Sequence, residues 1–312
     1  MPGDSDPSAV SATTEEGRRA RLTARYTQLA QSKRMRPLAA VVKRFQEIEG
    51  IDLGLLISLE LFTTIIPLMI LGYAFANGSD STLNPATVLI ENFGIQDPLT
   101  QVIDEAFAPS SEVASVLSVS LVLGFLFWGI PMSITVASMY AKAWRREQFP
   151  PRLRLLRGST WFLLYLAMLS LRQTIEFAGD PSGIRAIAQF LISLMTVWAF
   201  WSVTPLLLVR DGGRGPKFLI IAGLAGVLIE GMLIPLGSRL FFPSLLQGMS
   251  IFGPIGVAMA ILTWSATLGI GWVVTACTSA VWWERTAPAE TVIEAQDGVP
   301  EGSEALERPS VD

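Results

Sequence analysis

Residues 217–242 read KFLIIAGLAGVLIEGMLIPLGSRLFF. Apolar and small residues run unbroken from Phe218 to Ile229. Glu230 follows, and the apolar sequence then resumes until Pro235 interrupts it. At 1.5 Å per residue, Glu230 falls about 18 Å along a helix starting at Phe218, against a hydrocarbon core about 30 Å thick. A carboxylate at that depth is costly, and is retained only toward a bundle interior, a wet cavity or a partner. The stretch predicts a membrane protein with a buried acidic position.

Composition agrees. Of 312 residues, 51% are hydrophobic and only 16% charged, and the apolar residues come in long runs. There is no histidine and one cysteine, Cys277, so no disulfide closes within the chain. Histidine acid/base chemistry, His/Cys metal sites and Cys/His nucleophile pairs are excluded. No cofactor is expected. Residues 1–17 are polar, without the apolar core of a secretory signal.

Outward from the central stretch, the chain reads as three segments. Residues 1–36 form a disordered tail that turns basic from Arg18 onward. Residues 37–285 form the membrane domain, and 286–312 an acidic, apolar-poor tail. After Pro37, Leu38, Val41, Val42, Phe45 and Ile48 recur at helical spacing. This lead-in is expected to be an amphipathic helix, either on the cytoplasmic membrane surface or packed on the bundle. Nucleic acid is not an expected partner, because basic residues there lack stacking aromatics.

Six spans follow, near 53–76, 114–139, 158–178, 185–209, 217–239 and 253–283. Between the first two, 77–113 carry no Lys or Arg. Asn84-Pro85 and Asp97-Pro98 each set a cap residue before a proline, predicting a small outer helical hairpin. Residues 140–157 are expected to be a basic loop and 240–252 a short loop. Nine Lys and Arg precede the first span, six fall in 140–157, three in 210–217 and two in the C-terminal tail. Only Arg185 and Arg239 fall opposite, with Arg172 inside a span. That bias puts both termini in the cytoplasm. The predicted class is all-α: a polytopic membrane protein with six transmembrane helices, an amphipathic lead-in and an outer hairpin.

Phe252-Gly253, Gly256, Ala260, Leu262, Trp264, Ala276, Ala280 and Glu284-Arg285 resemble the closing helix of the YihY/BrkB family of bacterial inner-membrane proteins. The first span, LGLLISLELFTTIIPLMILG, resembles that family's opening helix, ahead of Pro67. The resemblance covers roughly residues 38–285. It implies a six-helix inner-membrane protein acting in envelope integrity or lipid-related export; members have also carried a ribonuclease label. One departure stands out: where the family has Gly-Ala-Glu late in the last helix, this chain has Thr275-Ala276-Cys277.

The candidate cavity or transport residues are Glu230, Arg172, Glu60, Glu176, Pro235 and Pro67. Glu230 either serves a polar substrate, proton or cation, or clamps two helices. Arg172 lies at nearly the same depth and is expected to pair with Glu230, pair with Glu176 one turn away, or snorkel. Glu60 lies about 10 Å in from Leu53. Pro67, Pro131, Pro205 and Pro235 fall late in their spans, the pattern of an inverted repeat or of chance. Cys277 sits among small residues that mark close helix packing.

The expected function is handling of a lipid or small amphiphile in the bacterial inner membrane, in a cavity containing Glu230. With no nucleotide-binding loop, drive would come from a gradient or a partner. The alternative is an envelope scaffold that binds lipids or partner proteins without transport. An enzyme, ribonuclease included, is not expected. Membrane lipids are the expected partners, and oligomeric state stays open.

Overall fold

Long apolar runs without period-two alternation favour helices, and in the computed structural model no strand occurs among the described residues. Those residues are 36–77, 90, 95, 97, 99–106, 129–176, 183–210 and 216–288. The elements are α1 (Arg36–Glu47), α2 (Gly50–Asn77), α3 (Leu99–Ala106), α4 (Ile130–Ala143), α5 (Pro151–Glu176) and α6 (Ile184–Leu208). Then come α7 (Pro216–Gly226), a π-helical turn (Val227–Leu233), α8 (Ile234–Leu240), α9 (Phe242–Met249), a 3₁₀ turn (Ser250–Phe252) and α10 (Pro254–Thr286).

Among the described residues, three helical stretches are long and apolar enough to cross a membrane: Ile184–Leu208, Gly223–Phe252 and Pro254–Thr286, of 25, 30 and 33 residues. Even the shortest reaches beyond the roughly 30 Å hydrocarbon thickness at 1.5 Å per residue. Their outer faces carry exposed Phe190, Leu191, Leu228, Met232, Leu236 and Met259. Contiguous apolar surface of this kind is stable against lipid and unfavourable against water.

α10 is the central element and packs along α2, α7, α1 and α9. Its approach to α2 is backbone-close. A Cβ on Gly269 would fall 2.2 Å from the Gly54 carbonyl oxygen, so only glycine admits this crossing. α10 starts cleanly because Gly253 adopts φ 58° and Pro254 occupies the first turn. One buried cluster joins α1, α2, α4, α5, α6 and α10 around Trp161, Trp201, Trp272 and Trp283. A second gathers Ile103 of α3 with Phe242, Leu246 and Trp264.

The structure corrects several expectations. Residues 240–252 are not a loop: Phe242–Met249 are helical with Pro243 in the first turn, and Phe242 and Leu246 are buried. The basic loop 140–157 shrinks to 144–150, because Pro151 starts α5 and puts Arg152, Arg154 and Arg157 on a helix. The helix expected after Asp97-Pro98 is present as α3, with Ile103 fully buried, and Thr100 donates to the Asp97 carboxylate. The other arm of the expected hairpin and residues 114–128 of the expected second span lie outside the described residues. So do 1–35 and 289–312, the two expected tails; Arg36 already belongs to α1.

α1 packs on the bundle, principally against α10 and then α2. Val41, Phe45 and Ile48 face the core, while Leu38 and Val42 stay exposed. Its fourth inward side chain is Arg44, only 4% exposed.

Candidate functional site

Pro235 has no N–H, and its ring clashes with the carbonyl four residues earlier, that of Gly231. A regular helix cannot run through such a position unchanged. The chain answers with the wide π-helical turn Val227–Leu233, and α8 then starts with Pro235 in its first turn. Glu230 lies in this turn and is 4% exposed. The apolar helix is therefore irregular at its acidic residue, ahead of the Pro235 break that the sequence leads one to expect, and the acid faces inward.

Around the carboxylate stand aromatic residues from three helices. The Tyr165 hydroxyl and the indole N–H groups of Trp201 and Trp272 are turned toward it. Neither carboxylate oxygen closes a hydrogen bond of ordinary geometry, and the same is true of Trp201 Nε1 and Trp272 Nε1. Three donors thus ring an acceptor without closing on it. Trp272 meets Tyr165 edge-on at 5.1 Å and Trp161 at 5.6 Å between centroids. Trp201 contacts Phe200 at 5.3 Å and Trp272 at 6.4 Å, and Tyr140 stacks on it at 6.5 Å. Such edge-to-face pairs add about 0.5–1.5 kcal/mol each beyond area burial. Trp161 is anchored through Nε1, which donates to Thr204 Oγ1 at 3.1 Å.

Arg172 contributes positive potential at Glu230. A direct hydrogen-bonded pair between them is not formed: Arg172 Nε donates to Ser193 Oγ at 3.0 Å. Glu60 belongs to another interface. Its Oε1 accepts from Thr135 Oγ1 of α4 at 2.8 Å, and its Oε2 is buried without a partner. Pro67 lies in α2 and Glu176 ends α5, but their side chains lie outside the described residues. Pro205 is buried inside α6. Cys277 is a buried free thiol within the α10 packing surface.

The arrangement holds one carboxyl dry, beside oriented neutral donors and a guanidinium. A single carboxyl of this kind is chemically able to take up and release one proton. No group of three or more Asp, Glu, Cys or His capable of holding a metal occurs among the described residues.

Gly226 lets Trp201 reach this position, since a Cβ there would fall 2.1 Å from the indole. Gly226→Ala is expected to displace Trp201 and lower stability by about 1–3 kcal/mol, as overpacking does. Thermal unfolding in detergent, followed by tryptophan fluorescence, measures both effects.

A second polar cluster, invisible to the sequence reading, joins α1 to the ends of α4 and α10. One guanidinium nitrogen of Arg44 donates to Glu284 Oε1 at 2.8 Å and Oε2 at 3.0 Å, and the other donates to the Ala143 carbonyl. Glu47 accepts from Arg145 at 2.6 Å and lies 3.5 Å from Arg44. The hydrogen bond from Arg145 holds the Glu47 carboxyl below its ordinary value of 4.5, and Arg44 and Lys43 add to the effect. A depressed carboxyl stabilises the fold above its unfolded pKa and ceases to do so as pH falls through its folded value. Hydrogen exchange of residues 36–49 should therefore be flat around neutrality and should rise in acid below about 4.5. Glu47 is a third exposed, so this effect will be modest and sensitive to salt.

No family profile, curated protein or solved structure matches this chain.

Proposed function

We propose that this is a six-span bacterial inner-membrane protein of the YihY/BrkB type, with both termini cytoplasmic. It moves or handles a lipid or small amphiphile in envelope maintenance, and Glu230 is the group on which that activity turns. The observation that carries the reading is the Glu230 carboxyl, buried at the break in an apolar helix and faced by neutral donors from Tyr165, Trp201 and Trp272. A carboxyl is expensive in a core that aromatic packing could have filled. Such a cost is retained where the group works. Large outward apolar faces on α6 and on the Gly223–Phe252 stretch support membrane placement.

The test is reconstitution. Full-length protein in liposomes carrying a fluorescent phospholipid should speed the loss of signal to a membrane-impermeant quencher, with and without a proton gradient. Rates equal to those of empty vesicles under both conditions would remove lipid movement.

A second reading draws on the tight ring packing around Glu230, with centroids 5.1–6.4 Å apart. A bundle so filled suits a scaffold that binds lipids or partner proteins without moving them. In that case quenching stays at background, while loss of α1 docking abolishes the cellular phenotype.

A further inference from the structure

At the end of the bundle where α1 meets α4, an open recess of about 320 Å³ is lined by Arg44, Glu47, Ile48, Glu49, Lys142 and Arg145. Its charges fall into two sets. Arg44, Glu47, Arg145 and Glu284 neutralise one another in the network described above. Lys142 and Glu49 remain: both are exposed, and neither has an ion-pair partner among the described residues. The recess thus offers one open ammonium and one open carboxylate, held on different elements.

Its walls are built at a conformational cost. Glu49 (φ 55°) and Arg145 (φ 50°) are the non-glycine residues with left-handed backbone among those described, and both line the recess. Both residues close a helix, α1 and α4, with the Arg146 amide bonded back to Ala141, so the left-handed backbone is that of a helix C-terminus. Here it turns Glu49 out of the α1–α2 corner, and Arg145 out of the turn ending α4.

The recess also sits at membrane-interface height. Arg44 binds Glu284, two residues beyond the exposed Trp282, and an exposed tryptophan at a helix end marks the headgroup level. Two residues past Glu49, exposed Ile51, Leu55 and Leu59 form an i, i+4, i+8 stripe along α2. A ligand with opposite charges at its head and a long apolar tail matches all of this.

We infer that the recess binds a zwitterionic phospholipid with a primary amine, its phosphate on Lys142, its ammonium on Glu49 and an acyl chain along Ile51, Leu55 and Leu59. Primary ammonium donates hydrogen bonds that a carboxylate accepts, and a trimethylated amine has none to give. A purely anionic head would meet Glu49 as a like charge. The assignment rests on the membrane placement proposed above, and does not depend on Glu230.

Native mass spectrometry of the full-length protein, given equal amounts of phosphatidylethanolamine, phosphatidylcholine and phosphatidylglycerol, tests it. The ethanolamine lipid should be retained at least threefold over each of the others. Lys142→Gln should abolish that preference, and Glu49→Gln should shift it toward the glycerol lipid. Glu49→Gly relieves the left-handed backbone and keeps the protein folded; it should lose the preference likewise. Glu230→Gln should retain it, which separates this site from the proposed transport centre. Equal retention of the three lipids by wild type, or preference surviving both Lys142→Gln and Glu49→Gly, would overturn the inference. Competition by chain-free phosphoethanolamine as strong as by a short-chain lipid would overturn the lipid as occupant.

Discussion

Arg44→Ala is expected to undock α1 and to cost about 3 kcal/mol of stability, the lower end for breaking a buried ion pair. Arg44 is nearly inaccessible, and its guanidinium joins three elements: it sits on α1, grips Glu284 on α10 and donates to Ala143 at the end of α4. Alanine leaves the Ala143 carbonyl and Glu284 without their donor. Glu284 is 28% exposed and recovers some hydration, which keeps the loss from being larger. Arg44→Met paired with Glu284→Gln should restore much of the deficit, because removing both charges spares the penalty of stranding one. Denaturant unfolding of wild type, Arg44→Met, Glu284→Gln and the double variant in detergent gives the coupling energy. Limited proteolysis should show new cleavage within residues 36–49 in Arg44→Ala alone. A coupling energy near zero would mean that α1 is held by Val41, Phe45 and Ile48 without help from the arginine.

If the protein moves lipid as proposed, Glu230→Gln is expected to reduce that movement at least tenfold while the protein inserts and folds normally. Glutamine matches the carboxyl in shape and cannot exchange a proton, so the variant separates titration from packing. Glu230→Leu should lose activity equally and hold or gain stability, by about 1–2 kcal/mol, because an apolar group relieves a buried unsatisfied one. Activity and stability would then move in opposite directions, as at sites where function is retained against the fold's interest. Quencher kinetics and thermal unfolding on the same preparations read both quantities. Wild-type rates in Glu230→Gln remove the carboxyl from the mechanism. A loss of more than about 2 kcal/mol in Glu230→Leu would instead make Glu230 a structural clamp.

Some of this was legible in the chain itself. A single acid in a long apolar run is a local signal, and Glu230 does point inward. Asp97-Pro98 ahead of a helical stripe was another, and Leu99–Ala106 is a helix. The surroundings of Glu230 were harder to see. Trp161 and Tyr165 lie one turn apart on α5, but only packing decides that Trp201 and Trp272 converge on them. Arg172 donates to Ser193 and closes no hydrogen bond to Glu230, a choice of partner that spacing along α5 does not fix. Glu284 stood out only through a resemblance, since its partner lies 240 residues away and leaves no trace in local spacing. The helix at Phe242–Met249 had an available cue in Pro243, a residue suited to a first helical turn.

The π-helical turn at Val227–Leu233 has a mechanical corollary. A wide turn accommodates one residue more than a regular turn does, and that surplus is portable. If it passes along the helix by one position, the residue it leaves behind swings by about 100° about the axis while most backbone bonds persist. Pro235 stops such a slip on one side, so the surplus has only one direction in which to travel. A swing of that size would turn the Glu230 carboxyl away from Tyr165, Trp201 and Trp272.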